Sequence, residues 1–457
     1  MKLHRILSAA APAAALVLGW SSTIHAQSGQ PWVGNRTIGE GAGIRSGNFE
    51  IHPGISGEVG YDSNYYQRAG SPIENASLGP VADVIRLRVT PQLSLRTLDK
   101  RIALAGDEAP PAPLPVQFEF KGSITYNELI ALKSQFTKEF SDQRNLEGGA
   151  GAGLKLFPGR VWSGAFNAGY GYIVDPSNLG GFTGAFNRST VTGGGTLTWA
   201  PGGGAFQWNL VNYQTRFTLF DKGIGVYDNG MHFLTTDGRW NFLPKTALLF
   251  DGGLGILRYS SPGLNNGENL RARIGANGLV TKHLGLLAMG GWATSFFHND
   301  NGLVRNYDDF IGKAEAKWYF NAGTQLQEGS ANVGMSTVAL GYDRSFEQSY
   351  LGDFFQRDRG YAQASYFFGG RMVTTLDGGV SRINYPDFLF DGGQRAGFGE
   401  TRIDMTGFAE YRVIQTVGIN LTAQYDQNIS QLLDGPTLTD DLSFNRFRAF
   451  LGARWFM

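Results

Sequence analysis

At 457 residues the chain is long enough for two or three soluble domains or for one large barrel. Cysteine is absent, 65 residues are glycine, aromatics make up 13% and charged residues 17%, whereas an ordinary soluble domain carries about 7% glycine and about 25% charge. Basic and acidic residues balance at 39 each, so a nucleic-acid partner has no support, and without cysteine there is no disulfide framework.

The N-terminus reads as a secretory leader. Lys2 and Arg5 precede an apolar run from Ile6 to Trp20, and cleavage is expected after Ala26. That run is short for a spanning helix, which needs about 20 apolar residues, and no other long apolar stretch follows. Residues 27–47 are polar and glycine-rich, and we read them as a flexible lead-in. Alternation then begins: Phe49, Ile51, Pro53, Ile55, Val59 and Tyr61 share one parity, with Glu50, His52, Ser56, Glu58 and Asp62 on the other. Successive strand side chains point to opposite faces, so this pattern predicts a strand with one apolar face. Pro53 cannot donate to a ladder, which places the start of the strand, or a bulge, near it.

The second run sets Ile85, Leu87, Val89, Leu93 and Leu95 against Arg86, Arg88 and Arg96, and a third spans Val116 to Tyr126. Further strands are predicted near 144–156, 161–173, 190–200, 205–219, 231–242, 246–259, 269–280, 285–297, 309–320, 332–343, 357–368, 371–384, 399–412, 417–429 and 443–457. Parity changes near Leu210 and Val211, as a bulge would cause. The total is about eighteen, and an even number is what a single-chain bacterial barrel needs.

The connections alternate between short (157–160, 200–204, 244–245, 281–284, 368–371, 414–416) and long (62–82, 128–143, 174–189, 220–230, 260–268, 298–308, 344–356, 386–398, 430–442), with 98–114 and 321–331 extended on the short side. Short periplasmic turns and longer external loops are the outer-membrane pattern. A short amphipathic turn is expected within 129–140. No external loop is long enough to suggest a single infolded constriction. That favours a wide bore, or one narrowed by residues 27–47 folding inward.

The last strand has an apolar face of Phe447, Ala449, Leu451, Ala453, Trp455 and Met457, backed by Arg446, Arg448 and Arg454. It runs to the end of the chain, and a bare apolar edge strand is a liability that a closed barrel removes. Aromatics on the apolar parity gather near strand ends: Tyr126, Tyr170, Tyr172, Trp199, Trp240, Trp318, Phe320 and Trp455. Rings at the headgroup level of a bilayer would be placed in this way.

The polar parity is expected to line a lumen. Its lumen-lining candidates are Arg86, Arg88, Arg96, Arg271, Arg273, Arg402, Arg412, Arg446, Arg448 and Arg454, accompanied by Lys121, Lys155, Arg239, Lys313 and Lys317. Against these stand Glu119, Glu147, Asp237, Glu315, Asp377, Asp404 and Glu410, so the reading is a mildly cation-lined bore. Guanidinium planes bind carboxylates in bidentate fashion, although charges on neighbouring strands also pair with one another. The six histidines form no His-Glu-x-x-His pattern, and no Gly-x-Ser-x-Gly elbow occurs. His298, Asp300, Asp308 and Asp309 could face a calcium ion, but the spacing is not that of an EF-hand. No cofactor or metal is expected.

Two stretches carry a resemblance. The closing strand resembles the C-terminal signature of outer-membrane proteins, with Met457 where that signature has an aromatic residue. Gly57-Glu58-Val59-Gly60-Tyr61-Asp62-Ser63-Asn64 resembles the opening of outer-membrane barrels encoded with exopolysaccharide and capsule operons, among them eighteen-stranded polysaccharide porins of myxobacteria. The resemblance implies the terminal conduit of a polysaccharide export pathway with a periplasmic export partner, and it carries over no catalytic residue.

The expected architecture is therefore all-β: a transmembrane antiparallel up-and-down barrel over residues 48–457, in the outer membrane of a Gram-negative bacterium and in contact with its lipid. The expected function is a channel for an exported polysaccharide. The alternatives are a diffusion porin for small polar solutes and an outer-membrane enzyme with a Ser–His pair at one rim.

Overall fold

In a computed structural model, the structure describes residues 43–69, 80–98, 114–141, 144–174, 187–202, 204–221, 224–262, 264–298, 304–320, 336–349, 353–368, 371–390, 393–430 and 442–457. Eighteen long strands follow one another. They are β1 (Phe49–Asp62), β2 (Val84–Thr97), β3 (Val116–Ala131), β4 (Asn145–Leu156), β5 (Trp162–Ile173) and β6 (Arg188–Trp199). Next come β7 (Phe206–Phe220), β8 (Asn229–Leu243), β9 (Thr246–Tyr259), β10 (Asn266–Leu279), β11 (Leu284–His298) and β12 (Asp308–Tyr319). The last six are β13 (Thr337–Gln348), β14 (Phe354–Phe368), β15 (Met372–Asn384), β16 (Gly399–Ile414), β17 (Val417–Ser430) and β18 (Phe444–Phe456).

Each strand pairs antiparallel with the next, and β18 pairs with β1 from Gly54↔Phe456 to Asp62↔Arg448. The sheet is closed. No helix among the described residues is long and apolar enough to cross a membrane; the helical pieces are short, such as the 3-10 turn Ser134–Phe136 and the helix Thr137–Ser141 in the β3–β4 link.

The parity of the sequence decides which face looks where. On β18 the odd positions are exposed, Leu451 to 55%, and the even ones are buried or nearly so. The same holds round the barrel, with Leu87, Ile124, Phe166, Leu234, Ile274, Leu340 and Leu421 all exposed on the outside. A continuous apolar exterior would be unstable in water and is what a hydrocarbon surroundings requires. Trp162, Trp240, Trp318 and Trp455 ring the outside towards the short turns, while Tyr126, Tyr170, Trp292, Phe310 and Tyr342 ring it towards the longer links. The chain is a transmembrane β-barrel.

Several local expectations meet their physical cause. The parity change in β7 is a register break against both neighbours, between Leu197/Thr198 on one side and Asn209/Asn212 on the other. Pro53 sits inside β1, yet its carbonyl accepts from the Met457 amide at 3.1 Å. Its missing N–H therefore faces the place where the last strand ends. In the 200–205 turn, Gly202 and Gly204 take φ of +72° and +99°, the left-handed region that glycine enters freely.

One strand lies elsewhere than expected. The run placed near 332–343 is β13, Thr337–Gln348, so the link before it is the longer one and the link after it is short. Arg344 continues the outward parity of Val338, Leu340 and Tyr342, where a charged residue reads as loop in sequence, whereas Phe346 stacks on Tyr307 at 4.3 Å. Arg344 lies near the longer-link rim, where it pairs with Asp309. Ile44–Ser46, the end of the expected lead-in, forms a short strand against β1; the expected leader and the rest of the lead-in lie outside the described residues.

Lipid-facing and inward positions should differ sharply in tolerance. Leu451 faces Leu421 across the β17–β18 ladder near mid-strand, and Leu451→Arg is expected to cost about 2–4 kcal/mol, the range for a cation at a bilayer midplane. An urea titration of the folded protein in lipid vesicles measures this; an unchanged midpoint would contradict the outward assignment.

Candidate channel interior

All ten candidate arginines project to the inside of the barrel, and each meets a carboxylate. Asp62 takes Arg446 in bidentate fashion, with Nε donating at 2.9 Å and Nη2 at 2.6 Å, and Arg86 lies 3.5 Å away. Arg88 pairs with Glu58 at 2.8 Å, and Arg96 donates to Glu50 at 2.8 Å. Arg448 donates to Asp426 at 2.7 Å, with Arg402 3.8 Å from the same carboxylate. Arg454 and Arg412 share Glu410, and Arg271 and Arg273 share Asp251. Six carboxylates thus serve ten guanidinium groups.

Ten arginines against six carboxylates leave positive charge in excess on this face, and each arginine has a carboxylate partner. Glu50, Glu58 and Asp62 share the inward parity of β1, and Asp251 and Asp426 hold inward positions on β9 and β17, so parity applied to the acids as well would have found the counter-charges. The stripe beside the seam is an ion-pair lattice and not a row of open cations. Arg446 and Asp62 are both 0% exposed, and Arg88 lies flat on the Phe450 ring at 3.6 Å. A Cβ on Gly60 would come within 2.1 Å of that ring, so glycine there makes room for it. Such a lattice is held strongly, since removing one partner leaves an uncompensated buried charge.

The stretch Tyr61-Asp62-Ser63-Asn64 joins the first strand to the last. Beyond Asp62, the Ser63 amide donates to the Phe447 carbonyl at 2.9 Å, and the Phe447 amide donates to Ser63 Oγ at 2.8 Å. Asn64 Nδ2 donates to the Asn445 carbonyl at 3.0 Å and to the Arg68 carbonyl at 2.7 Å. The other end of the seam is fixed by His52, whose Nδ1 lies 2.8 Å from the Met457 carbonyl.

Towards the longer links the bore is not a bare polar tube. Val84 and Leu129 are inward-facing and buried, and Tyr65, Tyr66, Phe136 and Phe140 pack on them from the links. Tyr66 and Phe140 stack at 5.7 Å, with Tyr65 edge-on to both. Burial pushes the Tyr65 phenol above its ordinary pKa, keeping it neutral beside Arg86 and Arg446. A second cluster joins the inward-facing Met231, Leu257, Ala293, Phe297 and Ile311 to Tyr307 and Phe354. Tyr307, just before β12, and Phe354, the first residue of β14, thus pack on the inward face, where a wide bore, or one narrowed by residues 27–47, was expected. By contrast, the wall of β3–β6 is lined by small groups. Ser123, Gly149, Gly151, Gly169, Gly171, Thr190 and Thr192 bound a cleft of about 380 Å³ together with Lys121.

The remaining histidines have local partners. His232 faces outward between Tyr213 and Thr215, His283 Nδ1 lies 2.8 Å from the Tyr319 carbonyl, and His298 lies 3.6 Å from Glu268. Residues 299–303 of the stretch considered for calcium lie outside the described residues; Asp308 accepts from Trp292 and Asp309 from Arg344.

No protein-family model matches the sequence, and no curated protein does. Among solved structures, Pseudomonas aeruginosa OpdK with vanillate superposes with a TM-score of 0.43 at 11% identity, over 89% of this chain and 99% of that one. Acinetobacter baumannii OccAB4 gives 0.42 at 12% identity, over 89% and 98%. The siderophore receptor PirA of Pseudomonas aeruginosa gives 0.41 at 9%, over 89% and 80%. Likenesses this loose carry no argument about this chain; the closed eighteen-strand ladder stands by itself. Single-chain barrels of even strand number are proteins of the Gram-negative outer membrane. That is where this one sits.

Buried pairs are expected to fail asymmetrically. Asp62→Asn alone should cost about 3–5 kcal/mol by stranding Arg446, while the double change Asp62→Leu with Arg446→Met should recover most of it. The temperature at which the folded band converts to the unfolded band on a detergent gel reads the difference. Equal loss in the single and double variants would show that the pair is not what holds the seam.

Proposed function

We propose that the barrel is a passive channel for small polar solutes. The observation that carries this reading is the interior itself: a polar inner face, opened along β3–β6 and narrowed towards the longer links by two inward apolar clusters. A hydrated polymer needs a tunnel that is wide along its whole length, and aromatic side chains folded into the mouth work against that. The residues that resembled exopolysaccharide barrels are engaged in closing the sheet, which leaves the polymer reading without a feature of the bore behind it. We also read residues 1–26 as a cleaved leader, and the chain as a conduit that performs no chemistry on what it passes.

Liposome swelling with the purified full chain tests the reading. Monosaccharides and amino acids should enter, and the rate should fall steeply for oligosaccharides of increasing size. Phe140→Ala, which removes a wholly buried ring from the first inward cluster, should raise the size limit. A deletion strain that retains polymer behind the outer membrane, with swelling absent for all small solutes, would replace this reading with the export one.

A further inference from the structure

The longer links between β9 and β16 are bonded to one another. Asp353, just before β14, accepts from Asn265 Nδ2 at 2.6 Å, and Asn265 immediately precedes β10. The other oxygen of Asp353 accepts from the Arg305 amide at 2.8 Å, in the link before β12. The Arg305 side chain extends the series: its Nη2 donates to Asp387 at 2.8 Å, in the link after β15. Asp387 in turn accepts from the Gly397 amide at 2.8 Å, across that same link. Gln348, the last residue of β13, donates to the Tyr259 hydroxyl at the end of β9 at 2.6 Å.

These bonds are too short to run along the wall. β10 and β14 lie four strands apart, as do β9 and β13. At the usual strand spacing that is roughly 19 Å, which an asparagine and an aspartate cannot bridge. The links therefore lean inward and meet over the bore. Phe346 shows the same bend, since its parity is outward yet it stacks on Tyr307 at 4.3 Å. Phe354, next to Asp353, lies edge-on to Tyr307 at 4.9 Å and to Phe346 at 5.8 Å. The second apolar cluster thus sits directly beneath the bonded links.

The bonds differ in kind. Asp353 is buried and takes two neutral donors. Arg305 and Asp387 form an ion pair whose side chains are 43% and 39% exposed, so salt screens it. Segments held by a few exposed bonds are the parts of a fold that open locally.

We propose that this series of bonds is a latch, which holds four longer links over one half of the mouth until Arg305 parts from Asp387. The first inward cluster, on β2 and β3, lies across the ring and stays in place when the latch opens. The proposal rests on the reading of the barrel as an open channel.

Swelling of liposomes that carry the full chain, with uncharged sugars of graded size at low and high potassium chloride and matched osmolarity, tests it. The wild-type protein should admit a disaccharide faster at high salt. Arg305→Gln and Asp387→Asn should each raise the low-salt rate by about two- to fivefold, the shift that one exposed ion pair supports, and should remove most of the salt response. Both residues lie outside the strands, so either variant keeps the ladder, and band-shift gels confirm that each is folded. Arg144→Gln, which breaks an exposed pair with Glu128 elsewhere on the rim, should change neither the rate nor the salt response. Folded Arg305→Gln and Asp387→Asn variants with wild-type rates and salt response overturn the latch and leave the channel reading in place. Wild-type vesicles that admit no solute at either salt concentration overturn the channel reading itself.

Discussion

The structure depends on one junction, the pairing of the first strand with the last. Without it, β1 and β18 would each present a row of unpaired backbone groups to hydrocarbon, where no water can satisfy them. The chain brings to this junction more than a ladder. Asp62 and Arg446 lock side chain to side chain, Ser63 and Asn64 hold the backbone of β18, and His52 holds the terminal carbonyl. The paired residues are 384 apart in sequence, so the closing contact is also the one with the greatest loop entropy to overcome. A dense set of charge-assisted bonds at that place offsets a cost that no other strand pair bears.

The same lattice sets what the interior can do. Ten inward arginines suggest a strongly basic pore, and six carboxylates offset part of that charge at short range. Oppositely charged neighbours a few ångströms apart present only a weak dipole to a solute further away, and screening by salt weakens it further. The arginines are thus structural members of the wall.

The fold was legible in the sequence because a lipid-facing strand obeys a strict rule. One outward polar residue at mid-depth is costly, so alternation survives over eighteen segments even where each one is weak. Positions such as Leu451, Leu421 and Ile274 could be assigned a face from parity alone. β13 was displaced because Arg344, near a rim, mimics a loop residue. The site was only partly legible. Parity placed every candidate arginine, but strand register is not written in a single sequence, so Asp62 could not be matched to Arg446 or Asp426 to Arg448. Tyr65, Phe136 and Phe140 read as link residues, and nothing local to them announces that they pack on Val84 and Leu129 inside the bore.

The proposed channel is narrow at one end, and access from the two ends tests this most directly. Single channels of the full chain can be recorded while nonelectrolyte polymers of graded size are added to one side of the bilayer at a time. Polymers entering from the short-turn side should lower the conductance, whereas the same polymers added on the longer-link side should be excluded. Equal access from both sides for every polymer size would contradict it.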